Sequence, residues 1–270
     1  MNSYIDLGDV KAHEETLYRT WNSFRNHLAD GQFEYNDLNA ALQDAFLKQF
    51  DDMFLKNGQK KHFEKRIKDF SKENVFTRGS ILNGEGSELS YDRFIPDARF
   101  IKEDNRFSPL GVEWLYLSMG EKYDFAKRCS EKECKATNGD RFGLCQFSFE
   151  DKSFQLPIVD LTIAVNYDYS EIATSLAHIS SLKRARDAIE EMLTYLLAKI
   201  ITNSIFEPVE TGDKKYMYAP FHCLACYFKN CGYKGIIYSS TVYENGKNIV
   251  LFDKEYATPT GVIEDYIVNV

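Results

Sequence analysis

Helical periodicity governs this chain up to about residue 72 and then stops, and one layer of secondary structure cannot accommodate both textures. Val10, Leu17, Trp21, Phe24 and Leu28 recur at threes and fours, and Leu38, Ala41, Leu42, Ala45 and Met53 resume the pattern after the Asp30-Gly31 break. Two amphipathic helices are predicted. Phe63, Ile67 and Phe70 suggest a third, shorter one within a Lys-rich stretch from Lys60 to Lys72, most simply a solvated face. From Val75 onward, short apolar runs alternate with Gly, Pro, Asn and Asp. Strands are predicted at 114–118, 142–149, 158–165, 235–239 and 249–252. Between them, Leu182, Ala185, Ile189, Met192, Leu193, Leu196 and Ile200 mark one long helix, and Pro220 to Asn230 another. The expected class is α+β: a small all-α bundle over residues 1–72, then a mixed domain over 73–270 with a β core and flanking helices. A length of 270 residues suits one large domain with a small appendage.

Charge narrows the partners. The chain has 33 Lys+Arg against 41 Asp+Glu, a formal charge of −8, which opposes broad contact with a phosphate backbone. Nucleic acid is therefore not an expected partner. Residues 1–15 carry acids and no continuous apolar stretch, and nowhere do the roughly 18 uninterrupted apolar residues of a membrane span occur. Six cysteines, at 129, 134, 145, 223, 226 and 231, read as reduced thiols. A cytoplasmic protein without a membrane partner is expected.

Metal chemistry has one superficial candidate. Cys223, Cys226, Cys231 and His222 fall within ten residues, but structural zinc sites take two separated knuckles, and thiols three apart on a helix are ordinary core. No metal is expected. Neither a G-x-S-x-G elbow, a P-loop nor a dinucleotide glycine fingerprint is present. His13, His27, His62 and His178 sit on predicted helical segments, which leaves His222 as the histidine of interest. What remains is a dispersed polar set: Arg78 in VFTRGS, Arg106 and Tyr116 in NRFSPLGVEWLYLS, Glu133 in CSEKECKA, and Ser240 ending GIIYSS.

In that order, with NIVLF closing the series, these segments resemble the RES family, named for Arg, Glu and Ser, over residues 75 to about 256. Ser108 stands where the family commonly has Asn after the second Arg, Lys234 where it has Asp before Gly235, and Pro220-Phe221-His222 where it has PTQ. The helix bearing the Glu lacks the usual Thr-Ala, and Glu131 competes for the role. Glu133 is preferred because Cys134-Lys135 matches the apolar-basic pair that follows the family Glu, and because its distance to the strand at 142–149 is suitable.

The resemblance implies a fold similar to ADP-ribosyltransferases and an NAD-degrading activity, often that of a toxin paired with an Xre-like antitoxin. NAD+ would be substrate, and no cofactor is implied. The matched residue types suit cleavage of the nicotinamide–ribose bond. A carboxylate at Glu133 opposes the positive charge that builds on the ribose, and two planar guanidinium groups, Arg78 and Arg106, suit a diphosphate. Tyr116 offers a ring face and a hydroxyl, Ser240 a hydrogen bond to phosphate or ribose, and His222 a further substrate contact. Glu133, Arg78 and Ser240 form the implied catalytic set. Water and inorganic phosphate both stay open as acceptor. So do two other classes: an ADP-ribosyltransferase acting on a macromolecule, and an inactive NAD- or nucleotide-binding module. The N-terminal helices lie outside the resemblance, with occlusion of the cleft, homodimerisation and antitoxin binding as their candidate roles.

Overall fold

The structure, a computed structural model, describes residues 10–82, 89–165, 167, 181–207 and 213–269. It is α+β, with eight strands in one mixed sheet and six α-helices among the described residues. The chain divides into two compact units, residues 1–63 with 163–223 and residues 64–162 with 224–270. The sequence places a single boundary at 72/73. The difference lies in segments distant along the chain, since the helical unit also takes in residues 163–223, which periodicity along the sequence cannot assign to either unit.

In the helical unit, α1 (Val10–Ala29) buries Leu17, Trp21, Phe24 and Leu28 on one stripe. The segment expected as one second helix is two, α2 (Leu38–Ala41) and α3 (Ala45–Asp51). Asp44 makes the break: extended itself, it caps α3 by accepting the Phe46 amide at 2.9 Å. Phe46 of α3 meets the Trp21 ring edge-on at 4.9 Å and stacks on Phe24 at 5.6 Å. α5 (Leu182–Ile205) contributes Leu196, Leu197, Ile200, Ile201 and Ile205 to the buried set. α6 (Lys214–Asn230), of which residues up to 223 belong to this unit, starts well before the expected Pro220, which sits inside the helix. His178 lies outside the described residues.

The second unit holds the whole sheet. Its strands are β1 (Glu64–Arg66), β2 (Val75–Ile81), β3 (Leu115–Gly120), β4 (Arg141–Ser148), β5 (Pro157–Asp160), β6 (Gly235–Ser239), β7 (Lys247–Leu251) and β8 (Thr258–Ile267). They run in the order β1-β5-β6-β7-β3-β2-β4-β8, antiparallel except for β5 beside β6. Two elements correct the sequence reading. Residues 64–66, inside the expected third helix, form a charged edge strand paired to β5, with Lys65 3.0 Å from Asp160. The run expected as a strand to Val165 ends at Asp160, whose carboxylate accepts both the amide and the hydroxyl of Thr162 and turns the chain into a short 3-10 segment.

Strand alternation sorts the sheet into two chemical faces. Phe76, Leu115, Leu117, Met119, Cys145, Phe147, Ile237, Ile249 and Leu251 cluster as its apolar core. On the other face, directly opposed residues of β2, β3, β7 and β6 make a polar row: Thr77, Ser118, Asn248 and Tyr238. α4 (Tyr123–Glu133) is pinned over this face, because Thr77 donates to the Ala126 carbonyl at 3.0 Å and lies 2.8 Å from the Ser130 hydroxyl. A Cβ on Gly120 would come within 2.7 Å of the Phe125 ring, so the strand end needs glycine to let α4 settle this closely. All six cysteines are free, and no described helix is long and apolar enough to cross a membrane.

Candidate active site

The last residue of α4 is Glu133. The helix stops there because Lys135 takes a left-handed conformation (φ 55°) and the Ala136 amide returns to the Glu131 carbonyl at 2.9 Å. That stop sets Glu133 above the polar row. Its Oε1 accepts two hydrogen bonds, from Ser240 Oγ at 2.7 Å and from Asn248 Nδ2 at 2.5 Å. Both donors are buried, whereas Glu133 itself is exposed. Oε1 is thereby engaged twice, and Oε2 makes no hydrogen bond among the described residues. Glu131 points elsewhere, accepting the Tyr266 hydroxyl at 2.6 Å.

Each donor is itself held. Ser240 Oγ accepts the amides of Val242 (3.3 Å) and Tyr243 (3.1 Å), so its one proton is directed to Glu133. The turn is closed by the Ser240 amide on the Gly246 carbonyl, and a side chain is excluded at 246 because a Cβ there would lie 2.9 Å from the Tyr243 carbonyl oxygen. Asn248 Oδ1 accepts from Ser118 Oγ at 3.0 Å and faces Cys129 Sγ at 3.7 Å, which fixes its amide with the NH2 toward Glu133. Burial pushes the Cys129 thiol up to about 11 and the Cys134 thiol up to about 12, so both stay protonated near neutrality.

Two cations share this neighbourhood. Arg78 is the first residue of β2 past its short ladder with β3, which pairs only Val75, Phe76 and Thr77. Its Nη1 is buried without a hydrogen-bond partner, and it makes no ion pair among the described residues. Burial lowers its pKa, partly offset by Cys134 and Tyr116. Arg106 acts electrostatically on Tyr116 and Tyr238. Tyr116 lies two residues before Ser118 on the same face and shares a 2.9 Å hydrogen bond with Ser108. Burial raises its hydroxyl far above the ordinary tyrosine range. Tyr238 is buried, meets Phe107 edge-on at 4.9 Å, and is raised by burial first and then by the nearby Glu133.

The structure thus brings Arg78, Arg106, Tyr116, Glu133 and Ser240 into one cluster. His222 belongs to the helical unit, buried with its ring edge-on to Tyr35 (5.6 Å) and Tyr218 (6.4 Å). Sequence reasoning missed Asn248, Tyr238 and Ser118 as site residues. The signal was available: Asn248 opens NIVLF and Tyr238 ends the run GIIY, both already quoted as motif, and a period of two places each on the polar face. The cluster combines a fixed carboxylate, two guanidinium groups and neutral phenols, which suits an anionic, hydroxyl-bearing ligand whose reaction develops positive charge. Comparison with known proteins returns no matching family model, no matching curated protein and no matching solved structure.

Proposed function

We propose that the protein cleaves the nicotinamide–ribose bond of NAD+, as the resemblance to the RES family implies, and that the sheet unit is an ADP-ribosyltransferase-like catalytic domain. One observation carries the reading: a single carboxylate, Glu133, has one oxygen fixed by Ser240 and Asn248 and the other open, beside two arginines of which Arg78 lacks any counter-ion among the described residues. In this reading the diphosphate lies against Arg78 and Arg106. Glu133 Oε2 accepts a ribose hydroxyl and stabilises the oxocarbenium-like centre as the C–N bond breaks. The bonding pair leaves with nicotinamide, which departs neutral. Water or inorganic phosphate then attacks the same carbon and loses a proton. Ser240 acts through Glu133 as a positioning residue, and Tyr116 and Tyr238 stay neutral as ring faces and hydrogen-bond donors.

A cytoplasmic toxin role with an Xre-like antitoxin belongs to the same proposal. Purified protein incubated with NAD+ should release nicotinamide, with ADP-ribose formed in phosphate-free buffer if water is the acceptor, and its 1-phosphate formed on adding phosphate if phosphate is. Intact NAD+ after prolonged incubation contradicts the proposal. Label from NAD+ appearing on a macromolecule would move the same site to the transferase class.

A further inference from the structure

The helical unit carries a cleft of its own, of about 570 Å³, walled by α1, the connection after it and the start of α3. Thr16, Thr20, Ser23 and His27 each stand one residue before the buried Leu17, Trp21, Phe24 and Leu28, so α1 turns a continuous polar stripe toward the cleft. His27 ends that stripe. Its Nδ1 lies 2.7 Å from Asp44 Oδ2, and Asp44 Oδ1 is already occupied by the Phe46 amide. Asp44 is buried and both of its oxygens are committed, so its effect is to orient the imidazole and leave Nε2 for another partner. Nε2 of His27 makes no hydrogen bond among the described residues. Arg19 lines the same wall and makes neither an ion pair nor a hydrogen bond among the described residues. Arg19 and His27 stand eight positions apart, about 12 Å along the helix axis, and both line this one cleft.

We propose that this cleft is a binding site for a phosphomonoester. The phosphate is held between the Arg19 guanidinium and His27 Nε2, with the Ser23 and Thr20 hydroxyls beside it and the Phe33 ring as a wall for the organic part. In a chain of net charge −8, the cleft wall carries one guanidinium, Arg19, and one acid, Asp44, which is engaged by His27. The cleft belongs to the helical unit and Glu133 to the sheet unit, and the proposal does not rest on the NAD+ reading.

Titration of the full chain with inorganic phosphate and with AMP, followed through the ring resonances of His27 and assigned by their loss in His27→Gln, tests it. Both ligands should move the His27 signals saturably, AMP at lower concentration. Arg19→Ala, a change at an exposed residue, should weaken binding by about tenfold or more, and Glu133→Gln should leave it unchanged. Unmoved resonances up to about 10 mM of either ligand, or an equal response from Arg19→Ala, overturn the site. Equal affinity for phosphate and AMP overturns the phosphomonoester assignment.

Discussion

Glu133 is useful only as far as its orientation is fixed, and that orientation rests on two side chains converging on one oxygen. Removing either should loosen the carboxylate without touching the ligand directly. Asn248→Ala is therefore expected to lower kcat by about tenfold, one lost charge-assisted hydrogen bond, with little change in KM. Asn248→Asp should be worse, because it sets a second carboxylate where an amide donated at 2.5 Å. A Michaelis analysis of the pair checks this, and equal activity of both variants with wild type would contradict it. Arg78→Ala has a different expected signature. A diphosphate clamp supports ground-state binding, so the main effect should be a raised KM with a smaller loss of kcat. The residue types of the site were legible in the sequence, since Arg78, Arg106, Tyr116, Glu133 and Ser240 all stand in quoted motifs. The hydrogen-bond wiring was not. That Ser240 spends its proton on Glu133 depends on atoms that meet only after β6, β7 and α4 are folded together, and that Ser108 holds Tyr116 depends on the loop before β3 folding back on that strand.

Strands and helices were read most accurately where burial is one-sided. β6 agrees with its expected bounds, and α5 extends a few residues beyond the marked stripe. β1, β2 and β8 escaped: β1 and β8 are edges, β1 being Glu64-Lys65-Arg66 and β8 being interrupted by Pro259 and Gly261 with Val262 85% exposed, whereas in the inner strand β2 Arg78 and Gly79 break the alternation. An edge strand carries little of the alternation by which an inner strand is recognised. α4 is the element on which the site depends, and one buried hydroxyl ties its middle to β2. Thr77→Val keeps the shape but removes the bond to the Ala126 carbonyl and leaves the Ser130 hydroxyl without that partner. The expected loss is about 1–3 kcal/mol of stability, read as a lowered midpoint in urea, together with reduced activity as the Glu133 end of α4 shifts. An unchanged midpoint would show that this hydroxyl does not seat the helix.

At the scale of the whole molecule, the division into two units predicts how truncation fails. Cutting at residue 72 removes β1 from the sheet and also strips residues 163–223 of the partners that complete the helical unit. The fragment 73–270 is expected to be aggregation-prone, and a monomeric, cooperatively folding fragment would contradict the division. The buried thiols set a pH limit. Cys129 and Cys134 hold their protons in the folded chain up to about 11 and about 12, whereas the unfolded chain releases them near 9.0. Their contribution to stability is therefore complete below about pH 9 and is lost as pH rises through the folded values, because the native state then binds more protons than the unfolded one. Thermal midpoints should fall between about pH 9 and pH 11, and a flat profile over that range would contradict the assignment of two protonated buried thiols. Most directly, the central claim is tested by nicotinamide release from NAD+ by wild type and by Glu133→Gln, which keeps shape and removes charge. The expected result is release by the wild type and a loss of about a hundredfold or more in the variant, about 3 kcal/mol of barrier, at an unchanged thermal midpoint. Equal release by the two proteins, or none by the wild type, would contradict it.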